Sequence, residues 1–350
     1  MIAQVHSMPR LEDIDSVVEQ AADVPTDLQK TRNDALDWVK GALVVLMVVY
    51  HSINYSSYPR VAFAYIGFLP VSFIFIAGFL LTNSYLTRYD LREWRLHRRL
   101  VLRGAKLLAI YSALNVARYF ITFGYEFLNR FLDNSRLIYL GAAGHVASYP
   151  ILTSIGYLLL CAPLLLVIGS LNRWVLPVLA AALVAFCTFM EWRASVGYHL
   201  GMISAGIVGT AFGFLPLRRI TEFAKKLLII VTLYCLYRTA RYFIGEPYAL
   251  QLIGVVTTLL LLYGVALKLP VSADIFKQVA LLGKYSLLGY IVQLAIIQAT
   301  ARAFGPFATP LSIVTLTLVA LAATWAIIFL VHRLRATASL IDTTYRFVFA

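Results

Sequence analysis

Long apolar runs alternate with short polar stretches, most of them basic, along nearly the whole chain. A spanning helix needs about 20 apolar residues, and runs that approach this length fall at 37–56, 61–84, 105–124, 149–170, 174–192, 197–216, 224–244, 247–268, 284–303 and 311–333. The pattern predicts an all-α, polytopic membrane bundle of about ten transmembrane helices. Pro70, Pro163 and Pro177 fall within these runs, where neighbouring helices can satisfy the carbonyl that a proline frees. Residues 1–35 are different in kind. Acids recur from Glu12 through Asp37 with no apolar core ahead of a small-residue cleavage site. That excludes a signal peptide and predicts a solvated tail too poor in apolar surface to offset its ordering entropy.

Composition supports the pattern: 61% of the residues are hydrophobic and 13% are charged, far from the ~25% charged typical of soluble chains. A net charge of +13 would suit a nucleic-acid partner, but here the basic residues sit between spanning runs, where they mark cytoplasmic loops. With an inward N-terminus, the inner connections hold Arg88, Arg92, Arg95, Arg98, Arg99, Arg103 and Lys106, then Arg173, then Arg218, Arg219, Lys225 and Lys226, then Lys268 and Lys277, then Arg333, Arg335 and Arg346. Arg60, Arg130, Arg136, Arg193 and Arg302 are scattered singly outside. Both termini are therefore expected in the cytoplasm, with an acidic tail at 1–35, a membrane domain at 36–335 and a short tail at 336–350. The connection at about 125–148 is the longest outside and the best candidate for a lid. Cys161, Cys187 and Cys235 lie in apolar runs with no CxxC or Cys/His cluster, so neither a disulfide framework nor a metal site is indicated.

Ionisable groups within the membrane are costly and invite a functional reading. Lys40 and His51 are eleven residues apart on the first helix. Three turns of an α-helix bring them onto one face, about 16 Å apart along the axis. Each has a plain alternative: Lys40 snorkelling to the inner interface, His51 packing at a helix end. The functional reading makes His51 a general base. Arg118, Arg238 and Arg241 lie at similar depth on the third and seventh helices. Either they form a cationic pocket for an anionic group or they pair with Glu126, Glu191 or Glu246 and hold helices together. The basic stretch LTRYDLREWRLHRRLVLRGAKLL is either a topology and anionic-lipid signal or a seat for a polyanionic cytosolic ligand.

Three stretches resemble acyltransferase family 3, membrane enzymes that move acyl groups from cytosolic acyl-CoA to acceptors that are often sugars. LDWVKGALVVLMVVYH matches that family's basic residue, ten intervening residues and His, here Lys40 and His51. FIFIAGFLL is similar to its FFxxSGFLL, with Gly78 and Phe79 kept and Ala77 in place of Ser. HRRLVLRGAKLLAIY is similar to its arginine-rich turn, with Arg99 and Arg103 in the Arg-x-x-x-Arg positions and the usual Pro missing. A weaker match, LGKYSLLGYIVQ, puts Gln293 where many members carry a second His.

The resemblance implies an acyl-CoA-dependent O-acyltransferase of a cell membrane, expected to be a bacterial inner membrane, that moves an acetyl, succinyl or similar group. Acyl-CoA is the co-substrate, with its phosphates on Arg98, Arg99, Arg103 and Lys40. His51 then serves a hydroxyl of an extracytoplasmic carbohydrate or glycolipid, as base or as transient acyl carrier. A transporter with an intramembrane His/Arg pathway and a non-catalytic partner of a glycan-assembly machine are the alternatives from other classes.

Overall fold

The computed structural model describes residues 33–349 apart from 57–65, 86–88, 90–92, 141–146, 173, 193–197, 306 and 308. The acidic tail through residue 32, and Arg60, Arg88, Arg92, Arg173 and Arg193, lie outside the described residues. All ten apolar runs contain helix. In chain order the helices are α1 (Asp34–Asn54), α2 (Leu69–Asn83), α3 (Trp94–Phe123), α4 (Phe127–Asp133), α5 (Ser135–Leu140), α6 (Pro150–Leu171), α7 (Val175–Trp192), α8 (Tyr198–Phe212), α9 (Leu217–Ala224), α10 (Leu227–Ile244), α11 (Tyr248–Lys268), α12 (Asp274–Lys284), α13 (Ser286–Phe304), α14 (Pro310–Thr337) and α15 (Ser339–Phe349). Among the described residues seven are long and apolar enough to cross a membrane, or eight if α8 and α9, bent by 99°, count as one span. The runs carried by α2 and α7 form shorter apolar helices.

α1 is the hub of the bundle, packed by α2, α11, α12, α13 and α14. Close approach needs small residues, because lipid supplies no hydrophobic drive between helices. A methyl group on Gly41 would collide with the Val279 carbonyl of α12, and one on Gly78 with the Gly206 carbonyl that joins α2 to α8. Gly78, kept in the FIFIAGFLL motif, is thus a packing residue.

From Trp94 onward the basic stretch forms the first turns of α3, a continuous helix of 30 residues. On the outer side, the long connection is folded into α4 and α5 and tied down by hydroxyls. Tyr111 donates to the Ile138 carbonyl at 2.7 Å and Tyr157 to the Tyr139 carbonyl at 2.9 Å. Within this connection, residues 141–146 lie outside the described residues.

Candidate functional site

α1 places His51 near its outer end, 8% exposed, and neither ring nitrogen has a hydrogen-bond partner among the described residues. The Tyr50 ring meets it edge-on at 5.3 Å and the Tyr290 ring lies at 6.1 Å. Gln293 follows Tyr290 by one turn of α13, so both share a face. It is fully buried, and both of its amide atoms are likewise unpaired. A buried polar group without a partner costs about 1–3 kcal/mol. Four such atoms lie on two neighbouring helices, α1 and α13.

The outer wall of this place is held under strain. Tyr149 has φ 62°, the only non-glycine residue with positive φ among those described, at a cost of about 1–3 kcal/mol for a bulky side chain. The turn is over-determined by its neighbours. The Asn115 amide donates to the Ser148 carbonyl at 3.0 Å, and the Ser148 N–H donates back to Asn115 Oδ1 at 2.8 Å. From α13, Gln298 donates to the Ser148 hydroxyl at 2.8 Å and to the Tyr55 hydroxyl at 2.7 Å. The result sets the Tyr149 ring edge-on to Tyr290 at 6.0 Å.

The cations proposed from sequence fall into separate groups. Lys40 pairs with the buried carboxylate of Asp37 one turn earlier at 2.5 Å. Arg99 donates to the Tyr89 hydroxyl and Arg103 to the Tyr85 hydroxyl, the latter at 2.6 Å, so both reach towards the α2–α3 connection. Arg98 is exposed beside them. Arg118 on α3 lies within electrostatic reach of Tyr55 and Tyr149, at the outer wall. Arg241 on α10 is buried, forms an ion pair with Glu246 and donates to the Tyr237 hydroxyl at 3.4 Å, the helix-stapling alternative weighed from sequence. Arg238 also acts electrostatically on Glu246.

Sequence reasoning passed over Tyr149, Asn115 and Gln298, and held Tyr290 only as part of the LGKYSLLGYIVQ match. The amides of Asn115 and Gln298 within apolar helices are a signal that could have been used, since uncharged polar groups at depth need partners as ionisable ones do. The conformation of Tyr149 leaves no mark in the sequence. No group of three or more His, Cys, Asp or Glu side chains placed to hold a metal occurs among the described residues.

Residues 32–295, well over half of the chain, match the family described as heparan-alpha-glucosaminide N-acetyltransferase, catalytic domain. The chain belongs to that family of membrane-embedded acetyltransferases. No curated protein and no solved structure matches it. This match corrects the assignment to acyltransferase family 3. The motifs behind that assignment are short and generic to membrane helices: a same-face basic residue and His on an amphipathic helix, a small residue at a helix contact and a basic inner end. Where they should have been specific, at Ala77 and Gln293, they departed.

Proposed function

We propose that this chain transfers an acetyl group from acetyl-CoA, bound at the cytoplasmic side, to an amine presented from the outer side of the membrane. The single observation that carries the reading is the pair formed by His51, with both ring nitrogens unpaired and buried, and Gln293, with its whole amide unpaired. The family description names an N-acetyltransferase of a glucosaminide, which favours an amine over the hydroxyl acceptor expected from sequence and favours acetyl over larger acyl groups. A glycan bearing an amino sugar fits both.

The mechanism follows from positions. The CoA phosphates dock on Arg99 and Arg103 at the inner end of α3, with Arg98 beside them, where guanidinium groups offer paired donors to phosphate oxygens. The pantetheine arm runs outward along the bundle over roughly the 16 Å that separate Lys40 from His51. Lys40 keeps Asp37 neutralised at the inner end of that path. At the outer end, the amine nitrogen attacks the thioester carbonyl carbon, a C–N bond forms, and His51 takes the proton that the nitrogen gives up. Negative charge collects on the carbonyl oxygen, where the Gln293 N–H and the Tyr290 hydroxyl can donate to it. Donors of this kind typically contribute about 10²–10³-fold. The C–S bond then breaks and the CoA sulfur leaves with the proton returned by His51.

The test is purified protein with acetyl-CoA and glucosamine, following release of the CoA thiol and N-acetylglucosamine together. His51→Asn should lower the rate at least ~10²-fold, the usual worth of a general base, with unfolding temperature unchanged or raised. Retention of more than about a tenth of the rate removes His51 from the mechanism.

A further inference from the structure

A groove of about 1220 Å³ opens on the flank of the bundle between α7, α8 and the α10–α11 corner. Its lining is small and apolar for most of its length, with Ala181 and Ala185 on α7 and Ala211 on α8. It follows α7 from Pro177 to Glu191, a rise of about 21 Å against a hydrocarbon thickness of about 30 Å. That length and the apolar walls suit a hydrocarbon chain lying along α7.

Polar chemistry is confined to the outer mouth. There Glu191 accepts the Tyr248 backbone N–H at 2.6 Å. Glu246 spends one carboxylate oxygen on Arg241, while its Oε1 is buried without a partner. A carboxylate oxygen only accepts, so whatever meets Oε1 must be a donor. Glu246 also acts electrostatically on Tyr50, the residue before His51 on α1. An amine fits both requirements at once, because it donates to Glu246 and is the group the reaction acetylates.

We propose that this groove seats the hydrocarbon tail of the acyl acceptor, a membrane lipid whose head carries the acetylated amine, and that Glu246 Oε1 receives that amine at the outer mouth. The inference deepens the acetyltransferase reading and rests on it for the fate of the amine, but not for the occupancy of the groove. The acceptor then enters sideways from the bilayer, and the enzyme needs no separate domain to capture it.

Two measurements test this. In the first, purified protein is given labelled acetyl-CoA with either methyl glucosaminide or hexadecyl glucosaminide, which share a head and differ in the tail. The ratio of their kcat/KM values should exceed about tenfold in the natural protein and fall towards one in Ala185→Trp and Ala181→Trp, which fill the groove from positions already exposed. A ratio near one in the natural protein, or a high ratio unaffected by both tryptophans, overturns the proposal while leaving acetyl transfer intact. If neither compound is acetylated, it is the reaction that fails, and the groove is judged by the second measurement. This is photolabelling in nanodiscs with phosphatidylethanolamine carrying a diazirine in its acyl chain, against the same probe with a choline head, which has no N–H to donate. Preferential ethanolamine-probe labelling of residues 177–215, reduced by Ala185→Trp, supports the site. Equal labelling by both probes, or labelling spread over the whole lipid-facing surface, refutes it.

Discussion

Replacing Gln293 by Leu should make the protein more stable and nearly inactive. The side chain is fully buried, and neither its Nε2 nor its Oε1 has a partner. Each unpaired group costs the resting protein about 1–3 kcal/mol, and an apolar side chain of similar size removes the cost without opening a cavity. With two such groups on one residue, the expected gain is about 2 kcal/mol at the low end of that range. The same substitution removes the donor that the proposed mechanism turns on the reacting carbonyl, worth about 10²–10³ in kcat. Thermal unfolding in detergent without acetyl-CoA reads the first effect, and acetyl transfer to glucosamine reads the second. The two must move in opposite directions. A lower unfolding temperature with transfer intact would mean that Gln293 is a structural residue, and the reading of the unpaired amide as a waiting donor would be wrong.

Other consequences can be checked in parallel. Arg99→Ala and Arg103→Ala should each weaken acetyl-CoA binding about tenfold by titration, and the loss should shrink at high salt, because exposed phosphate contacts are screened; unchanged affinity in both would reduce the basic end of α3 to a topology signal. Arg241→Gln should cost about 1–3 kcal/mol of stability, less than the 3–5 kcal/mol of a fully buried pair because the Glu246 side chain is 34% exposed; a raised KM for acceptor at unchanged stability would return Arg241 to substrate binding. Asp342 accepts from Arg335 and Arg346, which hold its carboxyl below the usual carboxylate range despite the opposing cost of desolvation. A depressed folded-state pKa contributes stability above the ordinary pKa and loses it as pH falls through the lowered value. Protection from hydrogen exchange in residues 339–349, referred to the intrinsic rate at each pH, should therefore fall at acid pH, and Asp342→Asn should show the reduced protection already at pH 7; protection indifferent to both would mean that the ion pairs do not hold α15 on α14.

The helices were legible because apolar run length is a direct consequence of bilayer thickness. Their boundaries were less so. The run at 197–216 gave no sign of the 99° bend between α8 and α9, since Pro216 reads equally well as a tolerated proline or as a helix start. His51 and Lys40 stood out because an ionisable side chain in hydrocarbon needs a reason, and a shared helix face follows from spacing alone. The partners of those residues were not legible. Whether Lys40 meets Asp37 or a phosphate, and whether Arg241 meets Glu246 or a substrate, depends on rotamers and neighbouring helices. Gln293 was noticed only as a departure from an expected pattern. Its meaning came from burial without a partner, a property of the packed bundle. Tyr149 lies furthest from sequence: its left-handed backbone is imposed by Asn115 and Gln298, 34 residues before it and 149 after it, and no local propensity favours it.

In the proposed reaction His51 is the general base for transfer of an acetyl group from CoA, held on one side of the membrane, to an amine presented from the other. This transfer is tested most directly in sealed proteoliposomes sorted for one orientation, with labelled acetyl-CoA added only on the side of Arg99 and Arg103 and glucosamine confined to the opposite side. The account predicts labelled N-acetylglucosamine on the glucosamine side with the natural protein and at least ~10²-fold less with His51→Asn. Label that stays with the donor, or transfer that proceeds equally well without His51, would contradict it.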